Sequence, residues 1–405
     1  MNRDDIDRIG AWITERGLAG TTETELLHGF CERCCDAGLP LSRGVALIDT
    51  LHPTYEGRAF RWRNDGVEER SVVEFGRTNE GGEAERNWVN SAFYRLLHGP
   101  DDELRRRLIP DAELEFPQLE SFRSAGHTDY FALIHRFAAD GMIGEMDCVY
   151  SSWTTRSPGG FDDEDLEALR RLVPSLALAI KCASLARIAG TLVEVYLGRD
   201  AGQRVLSGRI LRGVADRISA ALWYSDLRGF TTITDSGPPG EVIPLLNDYA
   251  DAVISAVHEA GGDVLKLIGD GTLAIFTGAD HAQSCRAALA AEAGLRRRLA
   301  QLNARRSAEE QPVTTVYLGL HIGDVFYGNI GSADRLDFTV VGPAVNEVSR
   351  IAAMCRSVDR HVVMSSAFVA STPEPERSRI VSVGRYALRG IGRAQELFTI
   401  DPATL

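Results

Sequence analysis

The sequence predicts a mixed α+β protein with two domains separated by a long helix. The chain has 405 residues, more than one typical domain, and its 44% hydrophobic content is enough for sizeable cores. Segments of strand-like composition alternate with helical patterns in both halves of the chain. Between the halves, residues 166–197 carry apolar side chains at helical spacing over an unusually long stretch.

The N-terminal segment, residues 1–165, begins with a helical pattern and continues with strands. Residues 44–49 and 55–63 predict two strands joined by a loop, and residues 130–137 and 144–151 predict a later pair. A Pro-Gly-Gly-Phe turn then leads into a helix with acidic residues in its first turn. This order of strand, turn and closing helix resembles the end of a GAF domain, a small-molecule sensing fold. The resemblance implies a GAF-like regulatory domain and names no ligand.

Residues 166–216 predict a helical linker followed by a short transducing connector. Apolar side chains recur at helical spacing from Leu169 to Val195. A helix of this length with one apolar face needs a partner, and the simplest partner is the same helix of a second copy. The Leu-Gly-Arg-Asp-Ala-Gly run at 197–202 is expected to end the helix, because glycine favours helix termini.

Two aspartates in the second half of the chain follow strand-like segments. Ala-Leu-Trp-Tyr precedes the region of Asp226, and Val-Leu-Lys-Leu-Ile precedes the region of Asp270. The first segment is apolar and aromatic and the second is apolar and β-branched, so each carboxylate is expected where a strand gives way to a turn. Two carboxylates on neighbouring strand ends can share a pair of Mg²⁺ or Mn²⁺ ions, which take further oxygens from water and from substrate phosphates.

A possible phosphate contact follows the first of these aspartates. The run Leu-Arg-Gly-Phe-Thr leads from Asp226 into an amphipathic stretch that contains Phe230 and Thr231. The first amides of a helix have no partner within the helix and can receive a phosphate. We therefore expect Phe230 and Thr231 to contact the substrate.

The motifs after these segments carry a family resemblance. From Gly319 the chain reads Gly-Leu-His-Ile-Gly-Asp-Val-Phe-Tyr-Gly-Asn-Ile-Gly, and residues 337–350 read Asp-Phe-Thr-Val-Val-Gly-Pro-Ala-Val-Asn-Glu-Val-Ser-Arg. Together with the segments around Asp226 and Asp270, this region resembles the class III nucleotide cyclases, the adenylate and guanylate cyclase family, over roughly residues 217–400. The resemblance implies a catalytic domain of ferredoxin-like α+β fold over residues 217–405.

Carried over residue by residue, the resemblance implies roles for each part of the site. Asp226 and Asp270 match the residues that bind two metal ions per active site. Lys266 matches the lysine that reads the purine base, and Thr339 matches its partner in that task, which is aspartate in many adenylate cyclases and threonine or serine in one subclass. Asn346 matches the residue that orients the ribose.

The remaining two matches concern the phosphates. Arg350, one helical turn after Asn346, matches the arginine that stabilises charge developing at the α-phosphate. Arg389 stands where the family usually has a lysine on the triphosphate. An arginine keeps the positive charge there but changes its geometry.

The resemblance implies an adenylate cyclase that converts ATP to 3′,5′-cyclic AMP and pyrophosphate. It also implies a homodimer whose active sites lie at the subunit interface. Two alternatives are a guanylate cyclase, which Lys266 opposes because those enzymes usually carry glutamate there, and a catalytically inactive nucleotide-binding regulator. Retention of both aspartates together with Asn346 and Arg350 opposes the second alternative.

Charge and terminal composition add expectations about partners and location. The formal net charge of −13 argues against a nucleic-acid-binding surface. The N-terminus, Met-Asn-Arg-Asp-Asp-Ile-Asp-Arg, lacks the apolar core of a signal peptide, and no apolar run is expected to span a membrane. These observations predict a cytoplasmic protein with no membrane partner.

Overall fold

The computed structural model describes residues 1–65, 71–77, 82–110, 112–138, 143–144, 146–237, 239–390 and 392–404. These residues form two compact units, Met1–Leu192 and Val193–Leu405. The boundary between the two units, after Leu192, lies inside the predicted linker of residues 166–216. The predicted domain limits at residues 165 and 217 stay a prediction.

The first unit contains one antiparallel sheet with helices on both faces. Its strand order is β3-β2-β1-β6-β5-β4. The strands are β1 (Arg43–Asp49), β2 (Gly57–Arg63), β3 (Val72–Phe75), β4 (Glu103–Arg107), β5 (Asp129–Arg136) and β6 (Cys148–Thr155). The helices that begin in this unit are α1 (Arg3–Leu18), α2 (Glu23–Asp36), α3 (Gly82–Val89), α4 (Ala92–His98), α5 (Pro117–Ser124) and α6 (Asp163–Leu197).

The strands predicted at 44–49 and 55–63 are confirmed, and one of the later pair was misplaced. The segment predicted at 144–151 forms strand β6 only from Cys148 and continues to Thr155, while residue 145 lies outside the described part of the chain. All eight residues of β6 are buried. A strand covered on both faces shows no alternation of polar and apolar residues, so its limits could not be found from the pattern. The GAF-like assignment of this unit stays a prediction.

Helix α6 finds most of its apolar contacts within its own unit. Leu169, Leu172, Leu176, Ile180 and Ile188 are buried in a core that also contains residues of α1, α2 and one face of the sheet. The expectation that a second copy must cover this face was therefore wrong for the stretch up to Ile188. The predicted helix end is confirmed, because α6 stops at Leu197 and Gly198 takes a left-handed φ of 86°.

By length and composition alone, α6 is also apolar enough to cross a membrane, and it is the one such helix in the described ranges. The expectation that no apolar run is long enough to span a membrane considered uninterrupted runs, and Lys181 and Arg187 interrupt this one. By length and mean hydropathy the expectation is wrong, because the two charges leave the helix apolar as a whole. Several of its apolar side chains from Leu166 to Ile188 pack in the core of the first unit, whereas Leu178 is 63% exposed and 33% of the apolar window is buried.

The second unit is built on a sheet in the order β13-β14-β12-β10-β7-β9-β8, with β11 paired to β10. Its strands are β7 (Ala215–Leu227), β8 (Asp263–Ile268), β9 (Gly271–Phe276), β10 (Val316–Gly331), β11 (Leu336–Val341), β12 (Val362–Ser365), β13 (Ile380–Tyr386) and β14 (Gln395–Ile400). Its helices are α7 (Arg199–Leu206), α8 (Phe230–Ser236), α9 (Pro239–Glu259), α10 (His281–Ala308), α11 (Pro343–Val358) and α12 (Ser366–Ser371).

The centre of this unit confirms the predicted ferredoxin-like fold. The chain order β7-α9-β8-β9-α10-β10 is a βαββαβ unit, and its strands lie in the sheet order β10-β7-β9-β8 with every neighbouring pair antiparallel. Helices α9 and α10 cover one face of the sheet, and α11 lies on the other. Trp223 and Leu222 of β7 are both fully buried, because they point to opposite covered faces.

Helix α11 lies unusually close to the sheet at one glycine. A Cβ atom built on Gly319 of β10 would lie 2.6 Å from the backbone oxygen of Val348 and the backbone nitrogen of Ala352. No side chain fits in that space, so the residue fixes the position of the helix that carries Asn346 and Arg350.

Candidate active site

The two aspartates predicted to bind metal lie at adjoining strand ends. Asp226 is the penultimate residue of β7 and pairs in register with Tyr317 at the start of β10. Asp270 occupies the two-residue turn between β8 and β9, where Gly269 takes a left-handed φ of 62°. Because β9 pairs with β7, this turn lies beside the end of β7, and Asp270 Oδ2 accepts a hydrogen bond from the Leu227 backbone N–H at 3.1 Å.

The electrostatics of this pair are those of a site that needs a cation. Asp226 Oδ1 is buried and has no hydrogen-bond partner within the described residues. Burial and, secondarily, the charge of Asp270 raise the pKa of Asp226 from 3.8 to about 6. A cavity of about 170 Å³ lies beside both carboxylates, between the strand ends and α9.

This arrangement fits divalent ions that keep open coordination positions. Among the described residues, no group of three or more His, Cys, Asp and Glu side chains could hold a metal ion alone. Two carboxylates would hold Mg²⁺ or Mn²⁺ through a few oxygens and leave the other positions to water and phosphate. The observation that favours this assignment is that Asp226 Oδ1 is buried and has no hydrogen-bond partner among the described residues.

The residues predicted to read the purine lie together on a different pair of strands. Lys266 is on β8, and its ammonium group pairs with the carboxylate of Asp337 on β11. Thr339 lies two residues after Asp337, so both side chains are on the same face of β11. Thr339 pairs in register with Gly328 near the far end of β10, whereas Asp226 pairs with the start of that strand.

Asp337 is a residue of this site that the sequence reasoning missed. The Asp-Phe-Thr run could have indicated it, because alternate residues of a strand share one face and Asp337 therefore lies on the same face as Thr339. The Asp337 carboxylate holds the ammonium group of Lys266 in place. The Lys266 side chain is 36% exposed.

The residues predicted to contact ribose and phosphate lie on α11 and on a neighbouring loop. Asn346 is exposed, and Arg350 is half-buried one turn later. A Cβ atom built on Gly390 would lie 3.3 Å from Arg350 Nη2, so the guanidinium lies against the loop that also carries Arg389. Arg389 is exposed. The structure thus brings Arg350 close to the loop of the second predicted phosphate-binding cation.

The remaining predicted contacts belong to a short helix. Helix α8 begins at Phe230 after Gly229, which takes a left-handed φ of 70°. Phe230 packs partly against the core, and Thr231 is exposed. Their proposed contact with a phosphate stays a prediction.

The family match concerns this second unit. Residues 215–401 match the family described as the adenylate and guanylate cyclase catalytic domain. A protein named adenylate cyclase from Anabaena cylindrica is 32% identical over 168 residues, which are 40% of this chain and 33% of that protein. Adenylate cyclase 1 of Rhizobium meliloti is 28% identical over 201 residues, 48% of this chain and 29% of that protein.

Among solved structures, the adenylyl cyclase CyaB from P. aeruginosa covers 46% of this chain and 95% of its own, with a TM-score of 0.42 and 21% identity. The chain spans about a third of the length of the two curated relatives, 33% and 29%. The family and relative matches support a class III nucleotide cyclase catalytic domain in the second unit.

The raised pKa of Asp226 predicts a pH-dependent stability of the metal-free protein. Because the folded pKa of about 6 lies above the ordinary value of 3.8, ionised Asp226 destabilises the fold above pH 6, and this is relieved as the pH falls from 6 towards 3.8. Asp226→Asn should therefore raise the free energy of unfolding at pH 7.5 by about 1–2 kcal/mol, the full shift being discounted for solvent screening. The gain should shrink at pH 4.5.

Urea unfolding with EDTA at both pH values measures this effect. Asp251→Asn, on the exposed side of α9, is the matched control and should change stability little at either pH. A loss of stability in Asp226→Asn at pH 7.5 would contradict the assignment of Asp226 as an uncompensated charge.

Proposed function

We propose that this protein is an adenylate cyclase, which converts ATP to 3′,5′-cyclic AMP and pyrophosphate. The observation that carries the proposal is the pair of carboxylates at adjoining strand ends, Asp226 and Asp270, with no cation among the described side chains to neutralise them. Two Mg²⁺ or Mn²⁺ ions bound there would lower the pKa of the ribose 3′ hydroxyl and neutralise charge on the phosphates. The ribose 3′ hydroxyl would lose its proton to water and its oxygen would form a bond to the α-phosphorus, while the bond from the α-phosphorus to the bridging oxygen breaks and that oxygen leaves as part of pyrophosphate.

The polar residues of the chain have roles consistent with this reaction. Asn346 would hold the ribose, and the Arg350 guanidinium would stabilise the negative charge that develops on the α-phosphate oxygens. Arg389, on the adjacent loop, would contact the leaving pyrophosphate as an exposed cation. Neither a histidine nor a cysteine nucleophile is required.

The preference for adenine is supported by Lys266 and its neighbours. A lysine ammonium is only a donor of hydrogen bonds, so it suits the ring nitrogen acceptor of adenine and opposes the N–H that guanine presents there. The Thr339 hydroxyl can accept from the 6-amino group. Asp337 would act as a positioning residue that holds the lysine.

Lys266→Met should lower kcat/KM for ATP by about 10- to 100-fold while leaving the weak rate with GTP nearly unchanged, because a donor to adenine is lost. The measurement is the ratio of kcat/KM for the two nucleotides. Arg335→Met, an exposed change on the turn between β10 and β11, is the control and should keep the wild-type ratio. An unchanged ratio in Lys266→Met would remove Lys266 from base recognition.

We further propose that the active site is shared between two copies of the chain. Within one chain, no hydrogen bond or ion pair of the described residues joins Asp226 or Asp270 to Lys266, Asn346 or Arg350. Apolar side chains next to the predicted base site are exposed to solvent; they are Leu267, Ile268, Phe326, Ile330 and Val341. Such a surface is typical of a protein interface, and a second copy would cover it and complete the site.

Regulation by the first unit is part of the same proposal. Helix α6 runs from residues of the first unit to Leu197 without interruption, and α7 follows at once. Residues 1–165 would change the packing of this helix when they bind a signal, and the change would reach the catalytic strands.

Removing residues 1–192 should change the specific activity several-fold, because it removes the unit proposed to alter the packing of α6. The cut is made after Leu192 because the first compact unit ends there. A cut at residue 160 would expose the apolar face of α6 and is the poorer design. An equal specific activity in a dimer of verified integrity would make the first unit a passenger under those conditions.

The test of the proposed function is product analysis. The full chain is incubated with each of the four nucleoside triphosphates and Mn²⁺, and the products are identified by mass and chromatography. Cyclic AMP formed from ATP supports the proposal. A folded dimer that forms cyclic GMP in preference points to the guanylate cyclase alternative, and one that binds ATP without product points to a nucleotide-binding regulator.

A further inference from the structure

A second cavity in the catalytic unit lies on the side of the sheet that faces α10. It has a volume of about 470 Å³ and lies between α10 and strands β10, β12 and β14. Its apolar lining includes the buried side chains Leu295, Leu299, Val316, Leu318 and Val362. This volume and lining are in the range of pockets that hold small organic molecules.

One acidic side chain in this cavity is buried without a hydrogen-bond donor. Glu292 of α10 is 9% exposed, and its Oε2 atom has no hydrogen-bond partner in the part of the chain that the structure describes. The nearest cation, Arg296 Nη2, lies 3.8 Å from that oxygen, which is beyond hydrogen-bond distance. Burial of a carboxyl group without a donor is costly, and here it raises the pKa of Glu292.

The other charged residues around the cavity are exposed to solvent. Arg296, Asp359 and Arg360 line it together with His361, and all four side chains are exposed. Glu292 is therefore the charged lining residue within the apolar interior. A ligand that enters this space meets mainly apolar walls and one buried acidic hydrogen-bond acceptor, beside the polar groups of Asn303, Thr315 and Thr399.

We propose that this cavity binds a small amphipathic organic ammonium compound. The apolar body of the ligand would pack against Leu295, Leu299 and Leu318, and its ammonium group would donate a hydrogen bond to Glu292 Oε2. A charge-assisted hydrogen bond to a buried acceptor is among the strongest available to such a ligand. The binding inference does not depend on the proposed cyclase activity.

The position of the cavity gives its occupant a route to the catalytic carboxylates. Val316 lines this cavity and also the cavity beside Asp226 and Asp270. In the sheet, Val316 pairs with Leu227, the residue after Asp226. A ligand that moves the start of β10 would thus move the strand end that carries Asp226, and this regulatory part of the inference rests on the proposed function.

The test uses three compounds of one shape and different charge: 4-phenylbutylamine, 4-phenylbutanol and 4-phenylbutyrate. Isothermal titration calorimetry of the full chain at pH 7.5 should show saturable binding of the amine at one site per chain. The dissociation constant is expected at roughly 0.1–1 mM for a ligand of this size. The alcohol should bind at least about fivefold more weakly, and the acid should not bind measurably.

Two variants separate the cavity from the rest of the surface. Glu292→Gln should weaken binding of the amine about tenfold, because the ion pair is lost and a neutral acceptor remains. Ala300→Trp, an exposed lining position, should abolish binding by filling the entrance. Glu309→Gln, beyond the end of α10, is the control and should bind as the wild type does.

The outcomes distinguish the two parts of the inference. The site would be overturned if the amine showed no saturable binding below about 5 mM. It would also be overturned if Glu292→Gln and Ala300→Trp bound the amine as tightly as the wild type does. If the amine binds as expected, a change in the cyclisation rate of at least about twofold at saturation supports the route through Val316, and an unchanged rate overturns that route. Calorimetry reports binding whether or not the protein turns ATP over, so failure of the cavity and failure of the proposed function can be told apart.

Discussion

Replacing either of the two aspartates proposed to bind metal should lower turnover of ATP by about a thousandfold or more. Asp226 and Asp270 would each hold metal that contributes several kcal/mol to the transition state, and each 1.36 kcal/mol is a factor of ten in rate. Asn is the substitution of choice at both positions. At Asp270, its side-chain oxygen can still accept the hydrogen bond from the Leu227 backbone N–H, so the β8–β9 turn is expected to remain intact.

The measurement is kcat with saturating Mn²⁺ and ATP, together with far-UV circular dichroism. Asp251→Asn, exposed on α9, changes the same residue type outside the site and should keep the wild-type rate. If either Asp226→Asn or Asp270→Asn turns over at the wild-type rate, the metal assignment is wrong.

Arg350→Ala should lower kcat by about 100- to 1000-fold with a smaller change in KM. A guanidinium that stabilises charge only in the transition state affects kcat more than ground-state binding, and removal of one such donor has effects of this size. Arg350→Lys should recover part of the loss, since the charge remains but the planar pair of donors does not.

Arg356→Ala is the matched control, because it is an exposed arginine on the same helix. A role of Arg350 in folding alone would appear as a lower unfolding midpoint with normal kcat in the folded fraction. That result would contradict the assignment of this residue to the α-phosphate.

The sequence was sufficient to predict the strand ends that carry the two aspartates proposed to bind metal. Asp226 and Asp270 each follow a run of apolar residues long enough to be recognised as a strand, and the structure confirms β7 and β8 there. The contact between the two strand ends could not be predicted from local pattern. It depends on β9 pairing with both β7 and β8, which is a long-range property of the sheet.

Burial by distant elements explains the errors. Helix α6 has an apolar face that suggests a dimer in isolation, but α1 and α2 and the sheet of its own unit cover most of it. Strand β6 shows no alternation of buried and exposed residues, because both its faces are covered. Glu292 was not singled out from the sequence, because only the packing of α10 against the sheet buries it.

The central claim, a nucleotide-cyclising site shared by two chains, is tested most directly by mixing two inactive variants. In a mixed dimer of Asp226→Asn and Arg350→Ala chains, one site carries both defects and the other carries neither. With random exchange of subunits, half of the dimers are mixed, so cyclic AMP formation should recover to about a quarter of the wild-type rate when the sites are independent. Activity that stays at the level of the separate variants, in a mixture whose exchange is verified by mass spectrometry, would contradict the shared site.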